Sequence, residues 1–361
     1  MKANRLISIL VGLLLPLAAH AGLADKTLDI YWVDVEGGAA TLIVTPQNES
    51  VLIDAGWPGG RDSQRIYETA TKLAGLKKID YLITTHFHID HFGGTAELSE
   101  LMPIGTLYNN GIPDHDPDNH PSDDARFRLM IKPYREMKVG RRLIIHPDDV
   151  IPLSQSPDQD VAHVTLRCLA AKQVFTKRIP DVGATNNPLC AESKLRETDT
   201  TDNRNSVVTL LSFGPFRFFD GGDLTWNMEN RLVCPMNLVG TVDVYQVDHH
   251  GTDLSNNPLL VRSLAPTVSV MDNGADKGGN PDSLATMKSA PSIQARYQLH
   301  KSFFKGAKEN TEDEYIANLE RHCKGNCIKL SVAPDGKTYT ITIPATGHKR
   351  VFQTQARPNE N

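Results

Sequence analysis

The sequence predicts an α/β protein, on three observations. Short apolar runs of strand length alternate with stretches of helical periodicity. One of those runs, Ile79-Asp80-Tyr81-Leu82-Ile83-Thr84, reads as a strand of a buried sheet. The first helical stretch comes only after an opening meander of strands, and strands and helices alternate from there.

The elements follow in order. Leu28–Val33, Ala40–Val44 and Val51–Ile53 read as three strands, joined by Gly-rich and Pro-Gln-Asn-Glu turns. Arg61–Leu73 is helical in period, with Ile66, Thr69, Ala70 and Leu73 on one face. After the strand at 79–84 come a helix, Thr95–Leu101, and a strand, Ile104–Tyr108. Asn109 to about Asn119 is a Pro- and Asp-rich loop that reads as a solvated rim, with His115, Asp116 and His120 as side candidates for metal binding. Ser122–Lys138 is predicted helical, with Ser122 as N-cap and a break or kink at Pro133. Lys132, Arg135, Lys138, Arg141 and Arg142 form the densest basic stretch and read as a solvated face rather than a phosphate site. Leu143–Ile145, Val161–Ala170, Val207–Ser212 and Phe216–Phe219 read as strands, the last two forming a hairpin at Gly214-Pro215. Phe175–Asn203 is polar and unpatterned, an insertion. Val242–Val247 and Thr267–Met271 are further strands, followed by a helix at Glu312–His322 and a hairpin through Asp335-Gly336-Lys337.

Composition bounds the function. A chain of 361 residues, 40% apolar and 22% charged, has enough material for a substantial core. Residues 1–21 are expected to be a signal peptide: Lys2 and Arg5 form the basic start, Leu6–Leu17 the apolar core, and Ala19-His20-Ala21 the cleavage site. The expectation is a secreted or periplasmic mature protein, 22–361, forming one domain with insertions near 109–140 and 172–203. No other stretch is apolar enough to span a membrane. The net charge is −5, and it falls to −7 when Lys2 and Arg5 leave. That balance weighs against a general polyanion-binding role, so nucleic acid is not the favoured partner. In an oxidising compartment the five cysteines can pair. Cys323 and Cys327, around the turn Lys324-Gly325-Asn326, are the expected pair; Cys190 with Cys234 rests on elimination, and Cys168 reads as a buried thiol.

The chemistry concentrates in His86-Phe87-His88-Ile89-Asp90-His91-Phe92-Gly93-Gly94, which lies between a predicted strand and a helix start. Three imidazoles and a carboxylate are the donors that borderline divalent ions such as Zn²⁺ prefer. His86 and His88 alternate, so both can face one side; Asp90 and His91 follow where the chain curls and can face a second ion. Gly93 and Gly94 allow the backbone to pack closely behind them.

This stretch resembles the HxHxDH signature of the metallo-β-lactamase superfamily. Asp34-Val35-Glu36-Gly37-Gly38-Ala39-Ala40, Leu52-Ile53-Asp54-Ala55-Gly56, Asn205-Ser206-Val207-Val208, Asp220-Gly221-Gly222-Asp223 and Asp248-His249-His250-Gly251-Thr252 are similar, in order and spacing, to segments of its ComEC-like branch. The likeness runs from about residue 28 to 300. It implies an αβ/βα four-layer sandwich, two mixed sheets face to face with helices outside. It also implies two divalent ions, Zn²⁺ with Mn²⁺ as the other option, held by His86, His88, Asp90, His91, Asp223 and His250, with Asp223 bridging. His249 and Asp90 are then the catalytic residues, His249 as acid or phosphate-facing donor, although the roles of His249 and His250 are exchangeable on sequence alone. Two departures stand out. No histidine precedes Asn205-Ser206 as a third ligand for the first ion; the interval offers only His115, His120, His146 and His163. The segment Asn273-Gly274 to Gly279-Asn280-Pro281 lacks a histidine that the resembled branch carries.

The implied chemistry is two-metal hydrolysis. A phosphodiester or phosphoester substrate is the first expectation. Lactone or β-lactam hydrolysis is the alternative, disfavoured by the absent histidine. A competence-related DNA-handling protein is a third, disfavoured by the acidic charge.

Overall fold

The structure is a computed structural model that describes residues 25–120, 122–177, 186–304 and 308–357. The predicted signal peptide and its cleavage site lie outside the described residues.

The first part of the chain forms β1 (Leu28–Trp32), β2 (Thr41–Val44), β3 (Ser50–Ile53), helix α1 (Arg61–Glu68), β4 (Ile79–Ile83), the short α2 (Ile89–Phe92), α3 (Thr95–Leu101), β5 (Ile104–Asn109), α4 (Asp124–Glu136) and β6 (Arg141–Ile144). The next part forms β7 (Val164–Ala171), β8 (Val174–Phe175), β9 (Val208–Phe213), β10 (Phe216–Asp220), α5 (Trp226–Val233), β11 (Val244–Gln246), α6 (Pro258–Leu264), β12 (Val268–Met271), α7 (Pro281–Ser289), β13 (Ala295–His300) and β14 (Ile316–Asn318). The chain then returns with β15 (Ile328–Val332), β16 (Thr338–Ile343) and β17 (His348–Gln353).

Two mixed sheets result. One has the order β17-β16-β15-β1-β2-β3-β4-β5-β6, the other β14-β13-β12-β11-β10-β9-β7-β8. The strand period of two explains the layering. Ile30, Trp32, Ile43 and Ile53 of the first sheet turn inward to meet Leu211, Phe218, Val244 and Val270 of the second. Their neighbours Tyr31, Leu42 and Leu52 turn outward onto Ile66, Leu98 and Phe127 of the helices α1, α3 and α4. On the far side Phe219 and Tyr245 pack on Leu232, Leu260 and Leu284 of α5, α6 and α7. Helices, sheet, sheet and helices are therefore stacked in four layers, the expected αβ/βα sandwich. Gln246 of β11 ties the sheets polar-to-polar, accepting from Trp32 Nε1 at 2.8 Å and Thr41 Oγ1 at 2.7 Å.

Several local expectations are corrected. The predicted helix at Glu312–His322 is a 3-10 turn, Asp313–Tyr315, running into β14. The parallel edge of β13 takes this segment, with Gln298 opposite Ile316 and His300 opposite Asn318, and the sheet's open hydrogen bonds outweigh a weak helical period. Helix α4 starts at Asp124 after Asp123 rather than from a Ser122 cap, and it runs through Pro133 to Glu136. Arg135 and Arg142 of the basic stretch donate to backbone carbonyls, of Pro113 and of Tyr134 and Met137, so they are engaged in holding the fold. The disulfide is Cys190–Cys234, joining the insertion to the end of α5. Cys323 and Cys327 are unpaired: Cys327 is buried at the foot of β15, while Cys323 is turned onto Asp34. Cys168 is a buried thiol, as read. Among the described residues no helix is long and apolar enough to cross a membrane.

Candidate metal centre

The site lies where loops leave the ends of β3, β4, β10 and β11. His86 and His88 follow β4, and Asp90 and His91 belong to the single turn of α2, with His91 N–H donating to the His88 carbonyl at 3.0 Å. This tight turn requires close backbone approach. A Cβ on Gly93 would sit 2.2 Å from the Ile89 oxygen, and one on Gly94 2.3 Å from the Ala55 oxygen. Asp223 follows β10, and His249 and His250 follow β11.

Six side chains form two donor groups that share Asp223. Asp90, His91, Asp223 and His250 offer ligand atoms within 4.8 Å of one another, and so do His86, His88 and Asp223. His91 Nε2 lies 3.1 Å from Asp223 Oδ2 and 3.2 Å from His250 Nε2. His250 Nε2 lies 3.3 Å from Asp90 Oδ2 and 3.4 Å from Asp223 Oδ1. His86 Nε2 lies 3.8 Å from Asp223 Oδ2.

Two observations show that this donor set fits divalent ions. Ligand atoms about 2.0–2.2 Å from an ion at tetrahedral angles stand roughly 3.3–3.6 Å apart, close to the separations found here. Buried His86 Nε2, moreover, has no hydrogen-bond partner among the described residues. Electrostatics agrees: burial pushes the His91 imidazole down, but Asp223, Asp54 and Asp90 carry it up to about 10. So concentrated a set of carboxylates holds a proton in the absence of another cation. Burial, with the neighbouring His91 and His88, holds His86 well below its usual range.

An outer ring of acceptors orients the imidazoles. Asp54 Oδ2 lies 2.7 Å from His91 Nδ1, which fixes Nε2 as the inward nitrogen. Asp118 takes His88 Nε2 at 3.0 Å, leaving Nδ1 as the other donor. Asp272 lies 3.3 Å from His250 Nδ1, an electrostatic contact without hydrogen-bond geometry. Thr85 Oγ1 stands 3.0 Å from His86 Nδ1. A carboxylate behind a histidine fixes its tautomer and raises its basicity toward an ion.

His249 stands beside the two groups without joining either. Its Nε2 is 3.4 Å from Asp223 Oδ2, and its Nδ1 is 3.2 Å from Ser255 Oγ. Ser255 donates its own proton to the Leu224 carbonyl, so it accepts from His249 Nδ1–H. Nε2 is then unprotonated and accepts from Asn203 Nδ2 at 3.4 Å. Burial drives His249 down to about 4. The backbone here is strained: His249 and His250 have φ of 55° and 54°, followed by Gly251 at 78°. Burying Asp248 and holding His249 N–H on the Gly222 carbonyl at 2.9 Å turns the two rings apart, one into the donor group and one beside it. At the rim, the Lys277 ammonium contacts Asp90 and lies 4.8 Å over the Trp57 ring.

All six residues expected as ligands are brought together, and His249 Nε2 stands at their edge, 3.4 Å from Asp223 Oδ2. His115, Asp116 and His120 are not: His115 faces Asp124, and Asp116 accepts from the His120 backbone. The same loop instead sends in Asp118, which the sequence reading passed over, together with Asp54, Asp272, Asn203 and Lys277. Asp54 had a signal, since it sits inside the Leu52–Gly56 motif. Asp118 had none beyond an acidic loop.

Residues 33–167 match the family described as the Metallo-beta-lactamase superfamily. A metal-dependent hydrolase from Polynucleobacter asymbioticus is 32% identical over 100 residues, 26% of this chain and 33% of that protein. The chain spans about a third of the length of the curated relatives it matches. Among solved structures, the diiron β-hydroxylase CmlA from Streptomyces venezuelae is 14% identical, with 75% of this chain and 52% of that chain covered and a TM-score of 0.41. MEM-A1, a subclass B3 metallo-β-lactamase from a soil metagenome library, is 14% identical, with 76% and 77% covered and a TM-score of 0.35. The family match takes in His86, His88, Asp90 and His91, and the two mixed sheets with helices outside are consistent with that family's sandwich fold.

Proposed function

We propose that the chain is a metal-dependent hydrolase of phosphodiesters or other phosphoesters, a relative of the ComEC-like branch that acts after export. The observation that carries the reading is the pair of donor groups sharing Asp223. His86, His88 and Asp223 would hold one ion, and Asp90, His91, Asp223 and His250 the other, with Zn²⁺ or Mn²⁺ as the ions. Bound there, the pair supplies Lewis acidity and an activated water nucleophile. The protein's own groups do the rest. Asp223 sets the spacing of the two groups. Asp54, Asp118 and Asp272 hold the imidazoles in place. His249 Nε2, buried beside Asp223 and facing Asn203 Nδ2, would be the acid, or the donor that faces the phosphate, delivering its proton to the leaving oxygen. Lys277, anchored over Trp57, presents a positive charge at the rim, where an anionic phosphoester enters.

Lactone and β-lactam hydrolysis is the second reading. Among the described residues no third histidine joins His86 and His88, which weighs against it. The net charge of −5 weighs against a DNA-handling role. The test is a panel of chromogenic phosphodiesters, simple lactones and nitrocefin, assayed with added Zn²⁺ or Mn²⁺. Phosphodiester turnover that disappears with chelator and returns with metal is expected. Preferential turnover of lactones or nitrocefin, or none by protein carrying two ions, overturns the reading. Export is checked by N-terminal sequencing of cell fractions, where a start near Gly22 is expected and an intact Met1 on cytoplasmic protein refutes it.

A further inference from the structure

A second cluster of ligand-type side chains lies outside this centre. Asp34 follows β1, His300 ends β13, and Cys323 sits in the loop before β15; their ligand atoms lie within 4.8 Å of one another. His300 Nε2 is 2.8 Å from Asp34 Oδ1, Cys323 Sγ is 3.1 Å from Asp34 Oδ2, and Sγ is 3.7 Å from His300 Nε2. Asp34 and His300 are fully buried, while Cys323 is partly open to solvent.

We propose that Asp34, His300 and Cys323 form a separate site for a borderline divalent ion such as Zn²⁺, independent of the hydrolytic centre. Carboxylate, imidazole and thiolate are the three protein donors such an ion takes. Around Zn²⁺, with bonds of about 2.0–2.3 Å, they would stand roughly 3.3–3.6 Å apart. The sulfur-to-nitrogen distance, 3.7 Å, lies just above that range. The two contacts to Asp34 are hydrogen bonds, and they open by roughly half an ångström when an ion replaces their protons. Binding releases the thiol proton and the proton on His300 Nε2. In the ion-free cluster that second proton is held firmly: burial opposes it, but Asp34 and Cys323 bring His300 up to about 9. The charges balance, because Asp34 and the thiolate neutralise a dication. Arg65, 3.2 Å from Asp34 and 3.9 Å from Cys323, stays anchored by the Asp34 carbonyl at 3.0 Å and is neutralised by Glu36 at 3.1 Å. The half-open face at Cys323 gives the ion a way in and leaves room for a solvent ligand.

The site has a consequence for the hydrolytic centre's support. The Asp34 loop runs directly to Ala39, whose N–H donates to the Asp90 carbonyl at 3.2 Å. An ion here would tie the segment before β15 to that loop.

The test uses colour that the hydrolytic centre cannot give, since none of its six ligands is a cysteine. Titrating the intact chain with Co²⁺ should produce a thiolate-to-cobalt charge-transfer band in the near ultraviolet, with three ions bound per chain. Cys323→Ser should lose the band and bind one ion fewer, and His300→Asn should weaken it. Cys168→Ser should keep it. Asp223→Ala should keep it as well while losing the hydrolytic ions, which separates this proposal from the proposed hydrolase activity. Circular dichroism checks that each variant is folded. Wild type without the band, or Cys323→Ser retaining it, overturns the proposal.

Discussion

The two donor groups of the candidate metal centre are built differently, although they share Asp223. The Asp90–His91–Asp223–His250 group has four donors, all buried, and carboxylates behind two of its histidines. The His86–His88–Asp223 group has three, and His88 keeps about a quarter of its side chain exposed. Its orienting carboxylate, Asp118, comes from a long loop rather than from a strand end. Affinity for a divalent ion grows with donor number and with preorganisation by the outer ring. The four-donor group should therefore fill first and release last, and the three-donor group keeps an open position, which a catalytic site needs.

Asp223→Ala breaks the comparison outright. Both ions and nearly all activity should be lost while the fold survives, as metal analysis and circular dichroism of the purified variant would show. Retention of one tightly held ion would mean that the groups are not joined through Asp223.

Substitutions in the adjacent histidines come next. His250→Ala should empty the four-donor group and leave the three-donor group able to bind. His249→Ala should keep both ions and lose turnover by roughly 10²–10⁴-fold. Metal content separates these outcomes, and the opposite pattern would exchange the two roles.

Asp118→Asn sharpens the contrast. It should weaken the ion of the three-donor group by roughly 10–100-fold and leave the other unchanged. Competition with a chelator reads the two affinities separately, and an equal loss at both positions would show that the loop does not serve His88 alone.

The smallest effect concerns stability. Asp220 lies behind the four-donor group; burial, with Asp54 and Asp272, pushes its carboxyl up to about 7. A carboxyl with a raised folded pKa favours the folded state most at low pH, where it is protonated in both states. That advantage shrinks as pH rises from about 4 toward 7 and changes no further above it. His249, driven down to about 4, contributes the opposite slope over much of this window, so the carboxyl is read as the difference between chelator-stripped wild type and Asp220→Asn. Wild type should lose resistance to urea relative to Asp220→Asn as pH rises from about 4 to 7, and a difference between the two midpoints that does not change with pH would assign the carboxyl an ordinary pKa.

Adjacency along the chain made the core of the centre legible. His86, His88, Asp90 and His91 lie within six residues, and Asp223 and His250 sit at recognisable strand ends, so local pattern and motif order named all six. The α/β class was equally visible, because strand and helix periods are local properties. The four-layer arrangement came from resemblance to a family, not from periodicity. Only the tertiary structure supplied Asp118, Asp272 and Lys277, which reach the centre from loops more than 20 residues from the histidines or aspartate they meet. It also overturned the Cys323–Cys327 pairing in favour of Cys190–Cys234, whose partners are 44 residues apart. And it converted the expected helix near residue 316 into an edge strand. The physical reason is common to these cases: hydrogen bonds, ion pairs and sheet edges are satisfied by whatever the fold brings near, and sequence distance does not enter that choice.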